Sequence, residues 1–169
     1  MRMSDGVEWA VHCCTLLVAL PPGETLPAAR LAEYHEVPPA YLAKHLQATA
    51  AAGITTSVSG PKGGYRLARP AAEITLLDIV LAVDGEEAAF RCSEIRQRGP
   101  AVSADPAAYR KTCHIARAMG RAEAAWRASL RETTVADLFS EVVTTVPHDV
   151  LVKGAEWIQE VQITRRSRS

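Results

Sequence analysis

Glu8 and His12 stand four residues apart, a spacing that puts a carboxylate and an imidazole on one face of a helix. Cys92 and Cys113 bound a stretch without periodicity, where Gly99-Pro100 and Asp105-Pro106 mark an irregular loop. A loop of roughly twenty residues is longer than a compact domain ordinarily carries without a functional reason, so thiols at both of its ends suggest a site. Carboxylate, imidazole and thiolate are metal donors, and thiols are also redox groups. Without further context, a solvated polar pair is the preferred reading of Glu8 and His12. Cys13 and Cys14 are adjacent and so point in different directions on a helix. Cys14 follows the apolar stripe and reads as core, while the setting of Cys13 stays open.

The chain that must position these groups has 169 residues, 48% apolar and 22% charged, enough apolar content for a core and too much for a disordered or collagen-like chain. Lys plus Arg and Asp plus Glu both number 19, yet the charges are segregated. Residues 30–70 hold five basic and two acidic groups, residues 90–131 nine and three, and residues 71–89 five acids and no base. Basic stretches within a neutral chain point to a local anionic partner. The apolar run Val7 to Leu20 is broken by Glu8, His12 and Thr15, too short for a membrane span and unlike a signal peptide. A cytoplasmic location follows as the expectation, with the four cysteines as thiols or metal ligands and no disulfide framework.

Helical spacing predicts a first helix over about residues 5–20, stopped by Pro21-Pro22-Gly23, and a short second one over Ala28 to Tyr34. A third opens at Pro39, with Tyr41, Leu42, Leu46 and Ala50 recurring until Gly53, a C-cap. Ile54 to Val58 reads as a strand, Gly60 to Gly64 as a turn and Tyr65-Arg66-Leu67 as the returning strand. Thr75 with Asp78 three residues on predicts a capping box for a fourth helix ending near Asp84-Gly85. A longer helix runs from near Cys113 to about Leu130, with Ile115, Met119, Ala122 and Trp126 on one stripe, and Thr134 opens another short one.

The fold expected is therefore mainly α with a small β-hairpin wing, a winged helix-turn-helix plus a long dimerisation helix. Its divisions are a DNA-binding domain at 1–85, a loop at 86–112, the dimerisation helix and following short helix at 113–145, and a tail at 146–169. In a helix-turn-helix the second helix enters the major groove with its first turns at the base edges. Ala40, Tyr41, Lys44 and His45 occupy those turns, and Lys62 and Arg66 on the wing are placed for the phosphate backbone or minor groove. The predicted partner is double-stranded DNA, with no membrane. An enzyme is not expected: no nucleophile and base pair or hydrolytic metal motif is present, and Gly60-Pro61-Lys62-Gly63-Gly64 lacks the spacing of a phosphate-binding loop.

Tyr41-Leu42-Ala43-Lys44, Gly53-Ile54, Gly63-Gly64-Tyr65-Arg66-Leu67-Ala68-Arg69-Pro70 and Ile74 to Ile79 followed by Val83-Asp84-Gly85 resemble the Rrf2 family of bacterial transcriptional regulators. Gly6 to Ala10, His12-Cys13-Cys14, Glu94 to Pro100 and Ile115 to Gly120 are most similar to its RsrR-like redox sensors. The resemblance spans about residues 4–140 and implies a homodimeric repressor that binds a palindromic operator. It also implies a redox-active 2Fe-2S cluster, with Glu8 and His12 from one subunit and Cys92 and Cys113 from the other as ligands. Trp9, next to Glu8, reads either as a packing residue or as a redox gate that reports cluster state to the DNA-binding helices. The chain departs from the common family pattern of three loop cysteines, since no cysteine lies between Cys92 and Cys113. His114 is a rival ligand, because related regulators use a histidine downstream of their cysteines. The alternative is a winged-helix regulator without iron, switched by thiol and disulfide chemistry at Cys92 and Cys113 or holding a structural zinc.

Overall fold

The computed structural model describes residues 3–60 and 63–167, with side chains described through Arg165. Seven α-helices and one hairpin follow in the order α1 (Asp5–Val18), α2 (Ala28–Tyr34), α3 (Pro39–Ala51), β1 (Thr55–Val58), β2 (Gly64–Leu67), α4 (Leu76–Asp84), α5 (His114–Glu132), α6 (Val135–Thr145) and α7 (His148–Ser167). The mainly α architecture with a hairpin wing is the one expected from the sequence. Among the described residues, no helix is long and apolar enough to cross a membrane.

The helix-turn-helix forms where proline allows it. Pro27 and Pro38 sit as extended N-caps of α2 and α3, and Pro39 takes the first turn of α3, where its missing N–H costs nothing. Behind α3, Gly53 at φ 68° ends the helix and turns the chain into β1. The strands pair antiparallel from Thr55 opposite Leu67 to Val58 opposite Gly64. The wing is then fastened to the start of α2: Leu26 N–H donates to the Tyr65 carbonyl at 2.9 Å, and Tyr65 N–H to the Leu26 carbonyl at 2.7 Å. That close approach needs glycine at 64, where φ is 151° and a Cβ would stand 2.5 Å from the Leu26 carbonyl.

Two apolar clusters sit on either side of α1. One joins Cys13 and Leu17 to Leu26, Leu31, Leu42, Leu46 and Val161; the other joins Ala10 and Cys14 to Ile54, Ile74, Ile79 and Val135. Both cysteines of α1 are fully buried, so Cys13 belongs to the core along with Cys14. The predicted capping box of α4 is present, with the Thr75 hydroxyl accepting from Asp78 N–H and the Asp78 carboxylate accepting from Thr75 N–H. Thr134 and Asp137 repeat the device on α6.

The stretch beyond Ser140, most of which is read from the sequence only as a tail, completes α6 and then forms the 20-residue helix α7. Ile158 and Val161 are buried and Trp157 packs beside Val161 against the first cluster. Gln162 donates to the Thr25 carbonyl at 3.1 Å, while Arg165 reaches the same carbonyl and the Gly63 carbonyl of the wing at 2.7 Å. This part of α7 is thus docked across the base of the wing.

Candidate nucleic-acid interface and sensor site

The outer face of α3 carries the residues predicted to meet DNA. Leu42, Leu46 and Thr49 face inward, and Ala40, Tyr41 and Lys44 are exposed, with Tyr41 at 66%. A tyrosine so exposed on the first turns of a recognition helix buries nothing in its own chain and offers its ring and hydroxyl outward. Arg66 is exposed on β2, at the base of the wing. Lys62 lies outside the described residues. His45 takes a different direction: half-buried, its imidazole is turned back onto α1, against Gly6 and edge-on to Trp9 with 6.0 Å between ring centroids. It therefore links α3 to α1.

Glu8 and His12 are both exposed on α1. His12 has one ring neighbour, His35 of the α2 end, at 5.6 Å, and burial together with the His12 charge holds the His35 imidazole below its ordinary basicity. The same helix presents Trp9, half-buried between the core and His45. One turn pair of α1 thus bears two potential donors outward and two contacts to the recognition helix inward.

Cys113 is the N-cap residue of α5. The backbone N–H groups of Ala116 and Ile115 donate to its sulfur, and these bonds, with smaller help from Arg96 and from the Cys92 thiol, hold Cys113 below the ordinary thiol range. Cys92 is exposed, and it comes near enough to Cys113 to add to the lowering of that thiol, so the loop draws its two terminal thiols toward one another. Around them stand two groups that sequence reasoning did not single out. The Glu94 carboxylate accepts from the Cys92 thiol at 3.7 Å and from Arg96 Nε at 2.7 Å, and Arg96 also donates to the Lys111 carbonyl at 2.6 Å. Opposite charges two residues apart were the only signal for them, since the Lys111 contact crosses the loop. Cys13 and Cys14 behave oppositely to Cys113: burial pushes both thiols up to about 12, which makes them inert.

The four predicted ligands form two half-sets. Cys92 and Cys113 approach one another; Glu8 and His12 share a face; and no group of three or more His, Cys, Asp or Glu converges among the described residues of one chain. By donor chemistry, two thiols, a carboxylate and an imidazole are a set that would fit a 2Fe-2S group. His114, beside Cys113, is exposed on the first turn of α5.

A helix pair with an exposed recognition face and a hairpin wing fastened to its base define a winged-helix protein. The family profile described as Rrf2, an iron-dependent transcriptional regulator, matches residues 3–141, and the chain belongs to the Rrf2 family of transcriptional regulators. Rv1287 of Mycobacterium tuberculosis, named as an HTH-type transcriptional regulator, is 30% identical over 141 residues, covering 82% of this chain and 81% of that one. YwgB of Bacillus subtilis, named likewise, is 36% identical over 91 residues, which span 54% of this chain and only 58% of YwgB. Among solved structures, the oxidized form of Staphylococcus aureus CymR superposes with a TM-score of 0.59 at 25% identity, over 82% of this chain and 96% of that one.

Proposed function

We propose that this regulator is a homodimeric repressor whose affinity for a palindromic operator is set by a redox-active 2Fe-2S cluster. Glu8 and His12 of one subunit and Cys92 and Cys113 of the other would hold it. The observation that carries the proposal is the approach of Cys92 to Cys113: a loop that is otherwise irregular draws two thiols toward one another at a helix N-terminus, where backbone N–H groups hold Cys113 below the ordinary thiol range. The dimer is supported by α5, a 19-residue helix with no buried residue, whose stripe leaves Ile115 61% and Met119 43% exposed. A second copy laid along that stripe would cover it.

Bound there, such a cluster supplies a one-electron change of charge, and a nitrogen ligand raises its potential relative to all-thiolate ligation. The protein's part is to carry that change to DNA. Glu8 and His12 lie on the helix whose Gly6 and Trp9 hold His45 of α3, so a shift of α1 is passed directly to the recognition helix. Because the duplex fixes the distance between half-sites, a small change in the separation of two recognition helices lowers operator affinity steeply. The test is the double variant Cys92→Ala with Cys113→Ala. Its operator affinity should no longer respond to oxidant and reductant; an unchanged redox response would refute the proposal.

The approach of Cys92 to Cys113 also favours a second reading, in which the two thiols close a regulatory disulfide without iron. A structural zinc is the remaining form of that reading. Acid-labile sulphide separates both from the cluster, because only the cluster contains it.

A further inference from the structure

The loop between Cys92 and Cys113 is held shut by a single pair of side chains. Glu94 adopts φ 50° and ψ 44°, a left-handed conformation that a residue with a Cβ takes only when its surroundings impose it. What imposes it is the set of bonds made by its carboxylate: Arg96 Nε at 2.7 Å, a second Arg96 nitrogen at 3.4 Å, Gln97 Nε2 at 3.5 Å and the Cys92 thiol at 3.7 Å. Arg96 then spans the loop. It donates to the Lys111 carbonyl at 2.6 Å and lies over the Tyr109 ring at 5.6 Å, and the Tyr109 hydroxyl accepts from Ser103 N–H at 2.7 Å. The guanidinium thus ties the Cys92 end of the loop to the residues just before Cys113.

We infer that Glu94 and Arg96 are positioning residues for the two thiols, a clasp that holds the Cys92–Cys113 half-site together within one chain. The inference rests on Cys92 and Cys113 being the sulfur donors of the proposed site, and it gives their loop a reason for its length. Two flexible thiols at the ends of an open loop would have to be gathered as the cluster arrives; a clasp removes that ordering cost beforehand. A guanidinium presents its donors to a carboxylate and a carbonyl in a rigid planar fork, whereas a lysine ammonium is a single point on a flexible stem and does not fix that geometry.

Proximity can be read without iron. In the metal-free, reduced chain, diamide takes two electrons and two protons from a thiol pair, forming the disulfide as the diazene becomes a hydrazine. Peptide mass mapping under non-reducing conditions then gives the rate of the intramolecular Cys92–Cys113 link. Arg96→Gln and Glu94→Gln are each expected to slow it by about tenfold. Arg91→Gln, which breaks only the exposed pair with Glu87, should leave it unchanged. A wild-type rate in Arg96→Gln would overturn the inference. If that variant does not fold, Arg96→Lys is read in its place, expected slow because the fork is lost and overturning the inference if it is fast. Iron and sulphide counts on the same preparations keep the two proposals apart. Wild-type protein without iron or sulphide, together with a slowed link in Arg96→Gln, would sink the cluster and leave the clasp. A loaded wild type together with an unaltered link in the variant would do the reverse.

Discussion

The imidazole of His45 on the recognition helix stands edge-on to the indole of Trp9 on α1, 6.0 Å between centroids and 76° between planes. Gly6 makes this possible, because a Cβ there would lie 2.3 Å from the same ring. The helix that carries Glu8 and His12 is therefore keyed into the helix that faces DNA.

Gly6→Ala should wedge the two helices apart. Alanine gains helix propensity over glycine, about 1 kcal/mol, but overpacking costs about 1–3 kcal/mol, and the half-buried imidazole already stands edge-on to Trp9. We expect a net loss of stability and weaker operator binding, with Gly6→Ala plus His45→Ala recovering stability. Urea unfolding of the single and double variants checks this; additive losses would mean that the two residues do not share a contact.

Tyr41, Lys44 and Arg66 should separate by the kind of contact each makes. Tyr41→Ala should change stability by less than about 0.5 kcal/mol, since the side chain is exposed, and weaken the specific operator by about 1–3 kcal/mol. Lys44→Ala, on the same turns, should likewise weaken the operator more than a scrambled duplex, whereas Arg66→Ala should weaken all sequences alike and reduce the salt slope by about 1. Titrations of operator and scrambled duplex at several salt concentrations distinguish the two patterns.

Much of this architecture is legible from local chemistry. Thr75 with Asp78 announces α4, Pro39 opens α3, and the glycines around residue 60 announce the wing, because caps and turns depend on neighbours in sequence. What escapes a sequence reading depends on distant partners. His45 falls between the exposed Tyr41 and the buried Leu46, and its direction is decided by the gap at Gly6. Arg96 acquires its role from the Lys111 carbonyl, across the loop. In α7 the apolar positions Leu151, Trp157, Ile158 and Val161 follow Pro147 at helical intervals, yet basic and acidic residues interrupt them, and the face gains meaning only from its contacts with Thr25 and the wing. For Glu8 and His12, the types and spacing are visible, but one chain supplies only half of the proposed ligand set.

The caps should govern stability in graded fashion. Thr75→Ala removes a box that satisfies two backbone and side-chain bonds and should cost about 1 kcal/mol. On α6 the Asp137 carboxyl is held below its ordinary range, first by the Thr134 hydroxyl and then by the Thr134 N–H. Its contribution is present above the unfolded carboxyl value and lost as pH falls through the depressed folded one, so Asp137→Asn should flatten the acid loss below about pH 4. Thermal unfolding from pH 7 to pH 2 reads the difference.

Accessibility divides the cysteines. In folded, metal-free protein, iodoacetamide should modify Cys92 and Cys113, while Cys13 and Cys14, fully buried and with thiols pushed up to about 12, react only on unfolding. Mass mapping before and after urea checks it, and labelling of Cys13 in the native chain would contradict the packing of α1.

The most direct test of the cluster itself is anaerobic purification followed by iron and acid-labile sulphide counts and a visible spectrum, before and after dithionite. The proposal predicts a coloured protein with about two iron and two sulphide per chain that bleaches on reduction and recovers on oxidation. A colourless protein without sulphide under those conditions would contradict it and leave the winged helix with a thiol or zinc switch.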